Sequence, residues 1–220
     1  MSEIQNNIEQ LKAEIPNSVT LVAVSKTKPN EAIIAAYDGG QRIFGENKVQ
    51  ELTQKHEDLP KDIEWHLIGH LQTNKVKYIA PFVSLIHAVD SFKLLKEINK
   101  QALKNNRVIN CLLQVKIADE ESKFGLSFTD ATSLLENEAV KTFKNINIVG
   151  LMGMSTNTTD KEQIKKEFES LHQLYQQFLI LNSQFSILSM GMSGDYKIAI
   201  KARSTMVRVG STIFGARNYN

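Results

Sequence analysis

The clearest indication of the fold lies in residues 146–190, INIVGLMGMSTNTTDKEQIKKEFESLHQLYQQFLILNSQFSILSM. It begins and ends with short apolar runs, 146–152 and 186–190, whose lack of alternation is typical of parallel strands covered on both faces. Between the runs, apolar residues recur at steps of four and three, as on one face of a helix: Ile164, Phe168, Leu171, Tyr175 and Phe178. Just before this segment, Thr158, Thr159 and Asp160 offer oxygens that can cap its first turn. The stretch therefore predicts a strand–helix–strand unit.

The same alternation continues through the rest of the chain. Further apolar runs that predict strands lie at 20–24, 42–44, 64–68, 83–88, 108–115 and 206–209. Strands that alternate with helices form right-handed βαβ units, and eight such units make a (β/α)8 barrel. The G-x-G-x-x-G fingerprint of a dinucleotide-binding sheet is absent after the first strand, and so is a P-loop. We therefore predict an α/β fold with a single (β/α)8 TIM-barrel domain over residues 1–220.

An extra helix is predicted over residues 1–15, ahead of the first strand. Ile4, Ile8, Leu11 and Ile15 lie on one helical face, and Pro16 ends the pattern. No stretch rich in Ser, Gly and Pro separates two domains.

Composition and charge narrow the class of protein. The 220 residues are 42% hydrophobic and 23% charged, which is typical of a globular protein. A net charge of +2 argues against nucleic acid as a partner. The single cysteine, Cys111, excludes an internal disulfide, and we expect no metal site. The start of the chain does not resemble a secretory signal, and no apolar run is long enough to span a membrane, so we expect a cytoplasmic protein. We also expect a monomer.

The first strand ends in Ser-Lys-Thr-Lys-Pro at 25–29, and the alternation of side chains places Val22, Val24 and Lys26 on one face. In a closed barrel that face points inward, where desolvation lowers the pKa of a lysine. A lysine that is neutral near pH 7 can form a Schiff base with an aldehyde, and the charge of Lys28 favours the same state. The alternative is that Lys26 only begins a solvated loop.

The second and third strands also end in polar residues. Asn47 follows the second strand and offers a donor and an acceptor, although it could instead cap the helix that carries Val49 and Leu52. His66 and His70 lie on a strand and its turn, with no clear third ligand, so they do not predict a metal site.

The last two strands run into small and hydroxyl-bearing residues. In barrels, the loops after strands seven and eight often hold a phosphate group, and Ser193, Gly210 and Ser211 fit that need, although ordinary turn chemistry explains each of them alone. Arg208 follows Met206 on the same strand face and requires a partner, for which an ion pair with Glu46 or Asp195 is the structural alternative. A lysine, an arginine and an anion seat are what pyridoxal phosphate needs for its aldehyde, its pyridine nitrogen and its phosphate.

Motifs along almost the whole chain resemble those of the YggS/PROSC family of pyridoxal phosphate homeostasis proteins. The matching segments are AVSKTKP at 23–29, FGEN at 44–47, WHLIGHLQ at 65–72, NK at 74–75, SKFG at 122–125, GLM at 150–152, LSMGMS at 188–193, STMVRVG at 204–210 and IFGAR at 213–217. Each motif alone is weak, and their combination in the expected order is specific.

The resemblance implies a barrel like the N-terminal domain of alanine racemase that binds pyridoxal phosphate. It places the aldehyde-linked lysine at Lys26, the pyridine-nitrogen arginine at Arg208, and the phosphate contacts at Ser193, Gly210 and Ser211. It also places Asn47 beside the cofactor. The family is thought to buffer and deliver vitamin B6 in the cell, without an established catalytic residue, and apo-enzymes that need pyridoxal phosphate are the expected recipients.

The alternative is a racemase or related pyridoxal phosphate enzyme of low activity that acts on amino acids. Two-base racemisation needs an acid–base group on each face of the substrate. In the racemases one of these is a tyrosine from a second domain, and the given chain ends at Asn220, so we expect no such domain here. An arginine at the pyridine nitrogen also makes the ring a weaker electron sink. The residues therefore favour a non-catalytic carrier.

Overall fold

The structure is a computed structural model that describes residues 2–119, 124–182 and 184–215. Its strands are β1 Thr20–Val24, β2 Ile43–Glu46, β3 Glu64–Leu67, β4 Leu85–Val89, β5 Ile109–Gln114, β6 Ile146–Met152, β7 Ile187–Met192 and β8 Met206–Val209. Its helices are α1 Glu3–Glu14, α2 Asn30–Asp38, α3 Val49–Asp58, α4 Val76–Ile79, α5 Phe92–Lys104, α6 Phe128–Glu136, α7 Glu138–Lys141, α8 Lys161–Leu181, α9 Tyr196–Lys201 and α10 Ser211–Phe214. A 3₁₀ turn, Thr73–Lys75, precedes α4.

The eight strands form a closed barrel in which each strand pairs in parallel with its neighbours in chain order. β8 closes the barrel on β1, with Thr20 opposite Met206 and Val22 opposite Arg208. The predicted (β/α)8 TIM barrel is therefore confirmed, together with the helix in front of it.

Two apolar layers stabilise the barrel. Side chains that point into it form an inner cluster: Val22, Leu85, Ala88, Leu112, Met152 and Met206. A larger outer cluster lies between the strands and the helices. Val22 and Met206 belong to the inner cluster, so the strand faces that lead towards Lys26 and Arg208 do point inward, as predicted.

The two helices predicted in detail are present. In α8, Ile164, Phe168, Leu171, Tyr175 and Phe178 are all buried. Of the three proposed caps, Asp160 is the one used, because its side chain accepts hydrogen bonds from the backbone N–H groups of Glu162 and Gln163.

The front helix α1 is held at its start by a capping box between Ser2 and Gln5. Its buried Ile8 and Leu11 pack into the outer cluster. No helix in the described part of the chain is long and apolar enough to cross a membrane.

Candidate functional site

A cavity of about 450 Å³ opens where the strands end at their carboxyl sides. That volume lies within the usual range for small-molecule sites. All six residues singled out in the sequence line it: Lys26, Asn47, Ser193, Arg208, Gly210 and Ser211. Apolar side chains form part of its wall, namely Val24, Ile68, Met154 and Met192. The parallel barrel thus gathers strand ends that lie far apart in the sequence at one opening.

The loop that carries Lys26 is held from behind by a buried ion pair. Lys55 Nζ donates to Glu46 Oε1 at 2.8 Å and to the carbonyl oxygen of Ser25 at 2.8 Å. The hydroxyl of Ser25 donates to the same Glu46 oxygen at 2.6 Å. Because the residue directly before Lys26 is bonded through both its main chain and its side chain, the start of this loop has a defined position.

The residue after Lys26 is also constrained. Thr27 has a φ of 63°, in the left-handed region that non-glycine residues rarely adopt. Its backbone N–H donates to Glu51 Oε1 at 2.6 Å, and Glu51 also pairs with Lys55 at 2.7 Å. The strained conformation is therefore compensated by a charged acceptor, and it fixes the direction in which the chain leaves Lys26.

Lys28 lines the cavity and binds the end of the last helix. Its Nζ donates to the carbonyl oxygens of Phe214 at 2.9 Å and Gly215 at 3.3 Å. A cation at these carbonyls satisfies acceptors that a helix leaves unpaired at its C-terminus. Lys28 therefore connects the lysine loop to α10.

Arg208 is buried and is held by neutral groups rather than by a carboxylate. Its Nη1 donates to the carbonyl oxygen of Ser189 at 2.8 Å and to the Ser189 hydroxyl at 2.5 Å. Its Nη2 donates to the carbonyl oxygen of Gly153 at 3.0 Å. The proposed ion pair of Arg208 with Glu46 or Asp195 is wrong, because Glu46 bonds Lys55 and Ser25 while Asp195 accepts from Met192 and Ser155.

Burial lowers the pKa of Arg208 to about 10, and the charge of Asp195 partly opposes that shift. The guanidinium therefore stays protonated at neutral pH and can only donate hydrogen bonds. Arginine has more N–H donors than its three contacts use, so Arg208 retains donors for a ligand in the cavity.

Two histidines extend the contacts of Arg208 across the barrel interior. His87 Nδ1 lies 3.1 Å from the Ser189 hydroxyl, and His87 Nε2 lies 3.1 Å from His66 Nδ1. Burial lowers the pKa of His66 to about 3, and it lowers that of His87 well below the ordinary value, with the charges of His66 and Arg208 acting in the same direction. Both imidazoles are neutral at pH 7, so they support Arg208 without adding charge.

Small residues shape the opposite end of the cavity. The backbone N–H of Gly210 donates to Ser193 Oγ at 3.1 Å, which joins the β7 loop to the start of α10. The hydroxyl of Ser193 is still able to donate its own hydrogen. A Cβ on Gly194 would have no atom within 4 Å, whereas a Cβ on Gly210 would come within 3.1 Å of the Val24 carbonyl oxygen. Gly210 therefore lets this loop pass close to β1, beside the lysine loop.

Asn47 lies on the cavity wall where β2 and β3 end side by side. It does not cap α3, since the N-cap is Lys48, which makes no side-chain capping bond. The backbone of Gly69 passes so close that a Cβ there would lie 2.5 Å from the carbonyl oxygen of Asn47.

Several lining residues were missed by sequence reasoning. His70, Gln114 and Phe124 form a further part of the wall. His70 stacks on Phe124 with ring centroids 4.9 Å apart, and its Nδ1 lies 3.3 Å from Asp90 Oδ2. From the sequence, His70 is considered only as a metal ligand, and its position just beyond the third strand is the signal that indicates a cavity residue.

Comparison with known proteins identifies the family. The family described as alanine racemase, N-terminal domain, matches residues 1–218. A pyridoxal phosphate homeostasis protein of Vibrio alginolyticus is 40% identical over 235 aligned positions, which cover 100% of both chains. The chain belongs to the family of pyridoxal phosphate homeostasis proteins.

Solved structures agree with this family. PipY of Synechococcus elongatus PCC7942, solved without PLP, superimposes with a TM-score of 0.90 at 34% identity, covering 96% of this chain and 100% of that one. The same protein with PLP bound gives a TM-score of 0.87 at 32% identity, with the same coverage of both chains.

The cavity of this homeostasis-family chain has side chains suited to pyridoxal phosphate. Lys26 carries an amine, Arg208 has N–H donors to spare, and Ser193 carries a hydroxyl that can donate to an anion while it accepts from the Gly210 N–H. Of the motifs that carry the resemblance, Ser122 and Lys123 of SKFG and Ala216 and Arg217 of IFGAR lie outside the described residues.

Proposed function

We propose that this chain is a single-domain carrier of pyridoxal 5'-phosphate that holds the cofactor through a Schiff base on Lys26 and buffers or delivers it inside the cell. The observation that carries the proposal is the meeting of Lys26, Arg208 and Ser193 in one cavity of about 450 Å³. The membership of the homeostasis family and the PLP-bound structure of PipY support the choice of cofactor.

Each group has a defined task in this proposal. The bound cofactor supplies an aldehyde carbon for a reversible covalent bond and a pyridine ring that can draw electrons. Lys26 provides the nitrogen for that bond. Arg208 donates to the pyridine nitrogen, while Ser193, Gly210 and Ser211 hold the phosphate and Asn47 lies beside the ring.

The state of Arg208 favours a carrier over a racemase. Racemisation requires the ring to accept electron density, which protonation of its nitrogen promotes. Arg208 remains a cation at neutral pH and only donates, so it keeps the pyridine nitrogen an unprotonated acceptor. An unprotonated pyridine ring is a weaker electron sink, so it stabilises the negative charge that develops during racemisation less well. Reversible storage of the cofactor does not require that stabilisation. Apo-enzymes that require pyridoxal phosphate are the proposed recipients.

The test is an absorbance titration with pyridoxal 5'-phosphate, followed by borohydride reduction and peptide mapping. The wild type should show an imine band that is reduced onto Lys26, and Lys26→Ala should lose this band while it stays folded. Lys28→Ala is the matched control variant, because Lys28 lines the same cavity. This substitution should leave the covalent adduct on Lys26 in place. A reducible adduct at Lys28 in Lys26→Ala would show that the lysine assignment is wrong.

Amino-acid turnover separates the carrier from the racemase. The loaded protein should racemise alanine no faster than free pyridoxal phosphate does under the same conditions. Steady turnover that disappears in Lys26→Ala would establish the racemase instead.

A further inference from the structure

We propose that His70, oriented by Asp90, is the proton-transfer group that sets how fast the cofactor is attached to and released from Lys26. The inference rests on the proposed function, because it concerns the bond between Lys26 and the aldehyde. It goes further by assigning an acid–base role to a side chain on the rim of the cavity.

The chemistry of the bond creates the need for such a group. When the nitrogen of Lys26 forms its double bond to the aldehyde carbon, it gives up two protons, and the aldehyde oxygen leaves as water. Release of the cofactor reverses every transfer: water adds to the carbon, the C–N bond breaks, and the lysine nitrogen regains its protons. A positioned side chain that accepts and donates these protons accelerates both directions.

The other cationic residues on the cavity wall are unsuited to this task. Arg208 stays protonated at neutral pH, and Lys28 donates to the carbonyls of Phe214 and Gly215. Imidazole is the side chain that both accepts and donates protons near neutrality. Among the described residues on this wall, His70 is the only histidine.

The contacts of His70 set its tautomer and its orientation. Its Nδ1 lies 3.3 Å from Asp90 Oδ2, an arrangement in which Nδ1–H donates to the carboxylate. That leaves Nε2 as the proton acceptor. The ring also stacks on Phe124 at 4.9 Å with 21° between the planes, which restricts its rotation. The side chain of Asp90 is only 17% exposed while that of His70 is 46% exposed, so the carboxylate is mostly buried and the imidazole remains accessible to water.

The experiment measures rates and affinity separately. Stopped-flow absorbance at several concentrations of pyridoxal 5'-phosphate gives the association rate from the slope and the dissociation rate from the intercept. His70→Gln replaces the imidazole with an amide of similar reach that can form hydrogen bonds but cannot transfer protons. A proton-transfer group lowers the barrier equally in both directions, so both rates should fall by the same factor, about tenfold or more, while Kd stays within about twofold.

Chemical rescue distinguishes proton transfer from a structural role. Imidazole added to His70→Ala should restore both rates, because it supplies the missing acid–base group from solution. Asp90→Asn should slow both rates, with a smaller effect than His70→Gln. The matched control is His172→Gln, since His172 lies on α8 and bonds Gln176, and its rates should equal those of the wild type.

Two results would overturn the assignment while the proposed function stands. One is wild-type rates in His70→Gln, and the other is a changed Kd without rescue by imidazole. A wild type that forms no imine band at all would count against the proposed function itself.

Discussion

At the scale of single residues, the position of Lys26 depends on the ion pair between Lys55 and Glu46. The two side chains are 6% and 0% exposed. Lys55→Met would leave the Glu46 carboxylate buried without its cation, and the pKa of this group is already raised by burial. Loss of one partner from a buried pair costs about 3–5 kcal/mol, so we expect the free energy of unfolding to fall by that amount in urea titrations.

An exposed lysine pair gives the control for this prediction. Lys141 and Glu138 are separated by a similar 2.7 Å, but their side chains are 57% and 86% exposed. Lys141→Met should therefore change the free energy of unfolding by less than about 1 kcal/mol. Equal effects of the two substitutions would mean that the Lys55 pair does not hold the loop.

The buried histidines predict a specific loss of stability in acid. His66 and His87 stay neutral in the folded protein, since the pKa of His66 is lowered to about 3 and that of His87 is lowered well below its ordinary value. In the unfolded chain each binds a proton below its ordinary pKa of 6.5. The unfolded state thus binds more protons, so the free energy of unfolding falls as the pH drops from about 6.5 towards 3, by up to about 1.4 kcal/mol per pH unit for each histidine.

Urea titrations at pH 7, 6 and 5 check this pH dependence. His66→Gln should lose stability less steeply with acid than the wild type, whereas His172→Gln, whose histidine is only partly buried, should follow the wild type. The same slope in His66→Gln and the wild type would show that His66 is not buried as a neutral group.

Single residues differ in how well the sequence reveals them. Lys26, Asn47 and Ser193 could be predicted because each follows an apolar run, and the barrel brings all strand ends to one face. His87 and Ser189 could not be predicted, because each is a single polar residue inside an apolar strand. Nothing in the sequence indicates which side chain either of them contacts. Their contact joins residues 102 positions apart and exists only after the barrel has closed.

At the scale of elements, the ends of β2 and β3 lie so close together that one glycine controls their spacing. A Cβ on Gly69 would lie 2.5 Å from the carbonyl oxygen and 2.8 Å from the Cα of Asn47. Gly69→Ala should push Asn47 out of place, weaken binding of pyridoxal phosphate in an absorbance titration, and lower the free energy of unfolding by about 1–3 kcal/mol. Gly194→Ala is the control for stability, because a Cβ there meets no atom within 4 Å, and its unfolding midpoint should not change.

All eight strands could be predicted, and the bounds of β1, β6 and β8 match the predicted runs, but the bounds of the other strands differ from them. The apolar run at 42–44 predicts a strand that stops before Gly45, whereas β2 continues to Glu46. The reason is the neighbouring strand: Gly45 and Glu46 pair with His66 and Leu67 of β3. A strand extends as far as the neighbouring strand forms backbone hydrogen bonds with it. Its length is therefore a property of the pair of strands rather than of one segment.

At the scale of the whole molecule, α1 joins the beginning of the barrel to its end. The Asn7 side-chain amide donates to the carbonyl oxygen of Ile213 at 3.1 Å, next to the end of α10. Lys12 donates to the carbonyl oxygen of Gly40, and Glu14 accepts from the hydroxyl of Tyr196 on α9. Helix α1, which was predicted as an extra element ahead of the barrel, therefore contacts both sides of the seam where β8 meets β1.

These contacts predict that the helix and the barrel unfold together. Ile8 is fully buried in the outer cluster, so Ile8→Ala should cost about 2–5 kcal/mol. Trp65, the only tryptophan, is buried in β3 and reports on the barrel, while far-ultraviolet circular dichroism reports on all helices. We expect Ile8→Ala to move the urea midpoints of both signals by the same amount, and Ile180→Ala, at an 87% exposed position on α8, to move neither. If Ile8→Ala left the Trp65 midpoint unchanged, α1 would be an independent attachment. A common shift would show that residues before β1 and the strands behind the cofactor cavity form one cooperative unit.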